Sequence, residues 1–126
     1  MKLRIKGNSI RLRVLQHELD DIQRGLPVVE ELRFPGTEMV LRYSLRSQAQ
    51  PERVAVFFDG SDIRVCISAM TSARWARPDE VGIYADIPLE DGLLSVAIEK
   101  DFACLDRREE DDAGTFANPL VKEKVC

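Results

Sequence analysis

Histidine is almost missing from this chain: His17 is the only one in 126 residues. That leaves little for the imidazole acid–base and metal chemistry that runs most readily near neutral pH. Cysteine is sparse as well, and its count is odd. Cys66, Cys104 and Cys126 share no close spacing, which argues against a disulfide framework and against a zinc site. No apolar run approaches the ~20 residues that cross a bilayer, so no membrane span is expected. The opening Met1-Lys2-Leu3-Arg4-Ile5-Lys6 alternates charge with apolarity and lacks the apolar stretch of a signal peptide. Cytoplasm is therefore the expected location. Glycine-rich phosphate loops and nucleophile elbows are also absent, so no cofactor and no catalytic residue is expected.

What the chain does have is alternation. Apolar residues make up 44% and charged residues 32%, the balance of a globular protein, and the length suits one domain, 1–126. Leu3/Ile5, Ile10/Leu12/Val14, Met39/Leu41/Tyr43/Leu45, Val54/Val56/Phe58, Ile63/Val65/Ile67, Ile83/Ala85/Ile87 and Leu94/Val96/Ile98 each recur with period two, the mark of a strand with one apolar face. Val28 to Phe34 adds a less regular eighth run. Gly7-Asn8 and Asp59-Gly60-Ser61-Asp62 read as tight hairpin turns.

Helix signals are few. Leu15, Leu19 and Ile22 lie on one helical face, and Gly25 and Pro27 close the segment. A second short helix is expected over Ser72 to Arg77, capped by Ser72 and ended by Pro78. No internal repeat is visible. The expected fold is α+β and mainly antiparallel: about eight strands in one strongly curved sheet or partly closed barrel, with one or two short helices. Phe58, Ile63, Val65, Leu94, Val96 and Ile98 are the expected core.

Net charge is −4, but charge is distributed unevenly. Residues 1–13 carry Lys2, Arg4, Lys6, Arg11 and Arg13 with no acid, a net of +5. Residues 99–112 carry seven acids against three bases, a net of −4. A two-residue Gly7-Asn8 loop sets Arg4 opposite Arg11 and Lys2 opposite Arg13, so all five cations share one face of a hairpin. Like charges directly opposite destabilise by roughly 0.2–1 kcal/mol a pair. Three outcomes answer this: the side chains splay into water, an acidic segment of the chain (Glu30/Glu31 or Asp106–Asp112) neutralises them, or an anionic ligand does. The charged segment 106–126 is expected to pack on the domain, with Asp106–Asp112 beside the hairpin.

Other candidate chemistry is thinner. Glu99 and Asp101 share a strand face and could hold a metal ion, but a strand end meeting water is the plainer reading. His17 reads as a solvated helix residue, Cys66 and Cys104 as inert structural thiols, and Trp75 as a core cap.

The blocks Met1-Lys2-Leu3-Arg4-Ile5-Lys6-Gly7-Asn8-Ser9-Ile10-Arg11-Leu12-Arg13 and Glu99-Lys100-Asp101-Phe102-Ala103-Cys104-Leu105 resemble a family of short bacterial proteins of unknown function. Trp75-Ala76 and Asn118-Pro119 extend the similarity over most of the chain. The resemblance implies a bacterial cytosolic protein and carries over no site.

Two functional classes follow. The favoured one is a non-enzymatic binding or interaction module, with a homodimer or an anionic small molecule as its candidate partner. The alternative is a phosphate-binding barrel or metal-dependent hydrolase acting on a phosphorylated small molecule, with Arg4, Arg11 and Arg13 on phosphate and Glu99 and Asp101 on metal. That alternative is similar to triphosphate-tunnel enzymes in its alternating basic residues, but the chain is shorter and lacks their glutamate-rich first strand. Nucleic acid is disfavoured, because net charge is negative and no aromatic interleaves the basic set.

Overall fold

Alternation produces the eight strands expected, and two helices join them: β1 (Lys2–Lys6), β2 (Ser9–Val14), α1 (Gln16–Gln23), β3 (Val28–Arg33), β4 (Val40–Gln48), β5 (Val54–Asp59), β6 (Asp62–Ser68), α2 (Ala69–Trp75), β7 (Gly82–Leu89) and β8 (Gly92–Lys100). The computed structural model describes residues 1–103, 114–117 and 119. Asp106–Asp112 and both Cys104 and Cys126 lie outside the described residues.

The strands do not form one curved sheet or a barrel. They form two four-stranded sheets, ordered β1-β2-β8-β7 and β3-β4-β6-β5. Neither is wholly antiparallel, because the central pairs β2–β8 and β4–β6 run parallel. The reason lies in the helices. Each follows a strand of one sheet and delivers the chain to the other, so neither sheet is completed by its own half of the sequence.

The topology is therefore duplicated although the residues are not. Hairpin, helix, hairpin (β1β2-α1-β3β4) is followed by hairpin, helix, hairpin (β5β6-α2-β7β8), and each sheet takes one hairpin from each half. Gly7 and Gly60 hold equivalent turn positions, at φ +56° and +62°, where a side chain would be strained. Leu12 and Val14 correspond to Val65 and Ile67, and Ile22 to Trp75. All six are buried.

The apolar faces of the two sheets meet in one core. It contains Leu12, Val14, Val96 and Ile98 from the first sheet, Leu45, Val65 and Ile67 from the second, and Leu19, Ile22 and Trp75 from the helices. Four hairpin turns lie at the end opposite the helices. Phe58, beside the Gly60 turn, is 72% exposed there and is not in the core as expected; Val65, Val96 and Ile98 are fully buried, and Ile63 and Leu94 partly so.

Local chemistry accounts for the helices. In α1 the Glu18 carboxylate accepts from the Leu15 N–H at 2.8 Å, covering a donor at the helix start. Its far end closes with Gly25 at φ +81°, the Leu26 N–H donating to Asp21 O and the Gly25 N–H to Ile22 O. α2 begins earlier than Ser72. Ser68 is its cap, its Oγ accepting from the Thr71 N–H at 3.2 Å, a contact worth ~1 kcal/mol. Ser72 is instead buried, and its Oγ and carbonyl oxygen both accept from Gln23 Nε2, which ties the helices together.

Candidate functional site

Strand register lays out the polar face of the first sheet as three rows. Lys2, Arg13, Glu99 and Gly82 form the first; Arg4, Arg11, Ala97 and Tyr84 the second; Lys6, Ser9, Ser95 and Asp86 the third. The hairpin pairs Arg4–Arg11 and Lys2–Arg13 are those the Gly7-Asn8 turn predicts. All five predicted cations thus lie on one face, and the parallel pairing of β2 with β8 brings Glu99 to them.

Glu99 is the centre of this arrangement. It is 2% exposed, so the expectation of a solvated strand end is wrong. Its Oε1 lies 3.2 Å from Arg11 Nε and 3.6 Å from Arg13 Nε, and its Oε2 accepts from the Tyr84 hydroxyl at 2.6 Å. A carboxylate taken out of water survives only with such partners. Gly82, opposite Glu99, makes the space. A Cβ there would come within 2.9 Å of Ile98 O, 3.0 Å of Glu99 Cγ and 3.0 Å of the Tyr84 hydroxyl. Asp101 pairs with Lys2 at 3.1 Å.

Among the described residues, Glu99 and Asp101 supply counter-charge to Arg11, Arg13 and Lys2, and the expected contact of Asp106–Asp112 with the hairpin lies outside the described residues. Glu31 is engaged by Arg42 at 2.7 Å. Glu30 turns to the other face and, with Glu18, meets the Met1 ammonium at 3.2 and 2.6 Å. Burial alone would lower the pKa of that ammonium, but the hydrogen bonds and charges of Glu18 and Glu30 outweigh it, and the net shift is upward.

In the second and third rows, small side chains flank large ones. Ser9, Ser95 and Ala97 form a low floor, with Arg4, Lys6 and Arg11 along one wall and Tyr84 and Asp86 along the other. The result is a groove of about 480 Å³. Ser9 Oγ donates to Lys6 O at 2.6 Å, and Ser95 Oγ donates to Asp86 Oδ1 at 2.9 Å. Sequence reasoning missed Gly82, Tyr84, Asp86, Ser9 and Ser95. Tyr84 and Asp86 do alternate with Ile83, Ala85 and Ile87, so their face was legible, but their neighbours were not.

The remaining candidates lie apart. His17 is exposed on α1. Cys66 is buried on the polar face of the second sheet, where burial pushes its thiol pKa up against the opposing pull of Arg46 and Arg64. Among the described residues no group of three His, Cys, Asp or Glu side chains could hold a metal ion, and no helix is long and apolar enough to cross a membrane.

Fold and face together define a class: a duplicated two-sheet sandwich with a basic groove on one outer surface. The chain belongs to the family of unknown function DUF7009, whose profile matches residues 1–120. No curated protein and no solved structure matches it.

Proposed function

We propose that the chain is a non-enzymatic binding module whose groove on the first sheet takes an anionic ligand. One observation carries this reading: a single buried carboxylate, Glu99, is shared by two guanidinium groups at the head of a groove that Arg4 and Lys6 also line. Among the described residues the face holds five cations and three acids (Glu99, Asp101 and Asp86), an excess of positive charge on a chain of net charge −4. Guanidinium groups held in place by a carboxylate lose little side-chain freedom on binding, and their planar fork suits phosphate and carboxylate oxygens. Among the described residues Glu99 is engaged by Arg11, Arg13 and Tyr84 and Asp101 by Lys2, which favours the binding reading over the metal-dependent alternative. The bacterial cytosolic setting implied by the resemblance belongs to the same proposal. So does the reading of the chain as one domain, which the shared core supports.

A ligand that binds only the folded chain raises its melting temperature. Millimolar inorganic phosphate should stabilise the wild-type protein, and the Arg4→Ala/Lys6→Ala double variant should lose most of that shift. An unchanged wild-type melting temperature, or an equal shift in the variant, would sink the proposal.

A further inference from the structure

The two walls of the groove differ, and the difference constrains its occupant. Building on the anion reading, we propose that the ligand is a phosphate monoester carrying adjacent hydroxyl groups, the chemistry shared by sugar phosphates and nucleoside monophosphates.

Size is the first argument. One water takes ~30 Å³ of liquid, so a groove of about 480 Å³ has room for roughly 16 waters, far more than a bare phosphate displaces. It falls in the ~300–1,000 Å³ range of small-molecule sites.

Charge is the second. The cations Arg4, Lys6 and Arg11 all stand on β1 and β2, whereas β7 offers Asp86 and no cation. With strands ~4.8 Å apart and ~3.3 Å per residue, Arg11 and Asp86 are two spacings and one row (two residues) apart, roughly 12 Å. A ligand that is anionic throughout would set a second negative charge against Asp86. One with its charge at a single end would not.

Hydrogen bonding supplies the third. A serine hydroxyl has one proton to give and two lone pairs. Ser9 spends its proton on Lys6 O and Ser95 spends its own on Asp86, since a carbonyl and a carboxylate can only accept. Floor and far wall therefore present acceptors: two serine oxygens and the rest of the Asp86 carboxylate. The ligand must donate there, and vicinal hydroxyls do so at the right spacing. Tyr84, 53% exposed, adds a ring face at the same wall for a flat group.

Isothermal titration of the full chain with inorganic phosphate, ribose 5-phosphate, adenosine monophosphate and tripolyphosphate tests this. Ribose 5-phosphate should bind at least about tenfold tighter than inorganic phosphate, a difference of ~1.4 kcal/mol, because its hydroxyls can donate to the Asp86 carboxylate and hydrogen bonds to charged groups are the strong ones. Tighter binding of adenosine monophosphate than of ribose 5-phosphate identifies the nucleotide as the source. The reverse order identifies the free sugar phosphate, and either supports the shared chemistry. Asp86→Asn should weaken ribose 5-phosphate about tenfold by the same arithmetic and leave inorganic phosphate unchanged or tighter. Equal affinity for phosphate and ribose 5-phosphate overturns this inference while the anion reading stands. So does tightest binding of tripolyphosphate with every probe improved by Asp86→Asn. Binding of none of the four overturns both.

Discussion

The Tyr84 hydroxyl donates to Glu99 Oε2 at 2.6 Å across the antiparallel pair β7–β8, and the residue directly opposite Glu99 is Gly82. The tyrosine folds into the space that the missing side chain leaves. Gly82→Ala should therefore be overpacked. Its Cβ would stand 2.9 Å from Ile98 O, which is backbone and cannot swing aside. The expected cost is ~1–3 kcal/mol of unfolding free energy in urea titrations. Wild-type stability in this variant would show that the strands can spread apart locally.

Glu99→Gln keeps the shape and removes the charge that Arg11 and Arg13 share. Breaking a fully buried pair costs ~3–5 kcal/mol, but these guanidiniums are partly exposed, so ~1–3 kcal/mol is expected. Inorganic phosphate should then raise the melting temperature of the variant less than that of wild type, since the two guanidinium groups lose the carboxylate that holds them in place. A larger shift in the variant would mean that Glu99 merely balances the cations and does not organise the anion site.

Stability should fall as pH rises above about 8. The Met1 ammonium has a folded-state pKa raised above its ordinary value of 8.0, so its contribution is complete below the unfolded value and is lost as pH rises through the folded one. Tyr43 does not interfere between about pH 7 and 9, because burial, then the charges of Glu30 and Glu18, push its pKa above 10.0. Urea midpoints across this window should decline in wild type and decline less in Glu30→Gln, which removes one partner of the ammonium. Equal slopes would assign the loss elsewhere.

Two apolar positions of the same alternating pattern should respond in opposite ways to aspartate. Val96 is 3% exposed between Ile10 and Ala85 in the sheet, and an unpaired charge there should unfold the chain. Phe58→Asp, at the open end, should stay within about 0.5 kcal/mol of wild type, as surface changes usually do. Circular dichroism of the two variants distinguishes them directly.

Those two residues also show what a linear reading could see. Period-two alternation reveals that a position faces the apolar side of a sheet, and Val96 and Phe58 both do. It does not reveal how far along the strand the opposing layer extends, so Phe58 looks like core. The first hairpin was readable because a two-residue turn determines its register within 13 residues. The parallel pairs were not, because β2 meets β8 and β4 meets β6 with no turn between them to mark the pairing. Glu99 was misread for the same cause: only the Arg13–Glu99 register shows that this strand end is covered. Ser72 looks like the cap of α2 from its place before the short helical run, but the helix starts a turn earlier at Ser68, and Ser72 receives Gln23 instead. The duplication escaped notice because the halves keep the burial pattern and change the residues.

The exchange of hairpins between halves bears on synthesis. Ile10 pairs with Val96, so β2 is made long before its neighbour exists. At ~5–20 residues per second the interval is roughly 4–17 s. A hairpin formed in that interval would leave the β8-facing edge of β2 bare, the kind of surface that recruits other strands into aggregates. Arg11 and Arg13 stand on that edge strand, and Lys2, Arg4 and Lys6 on its partner. Before Glu99 emerges, the repulsion among these five cations would work against pairing of that edge with a second copy of itself.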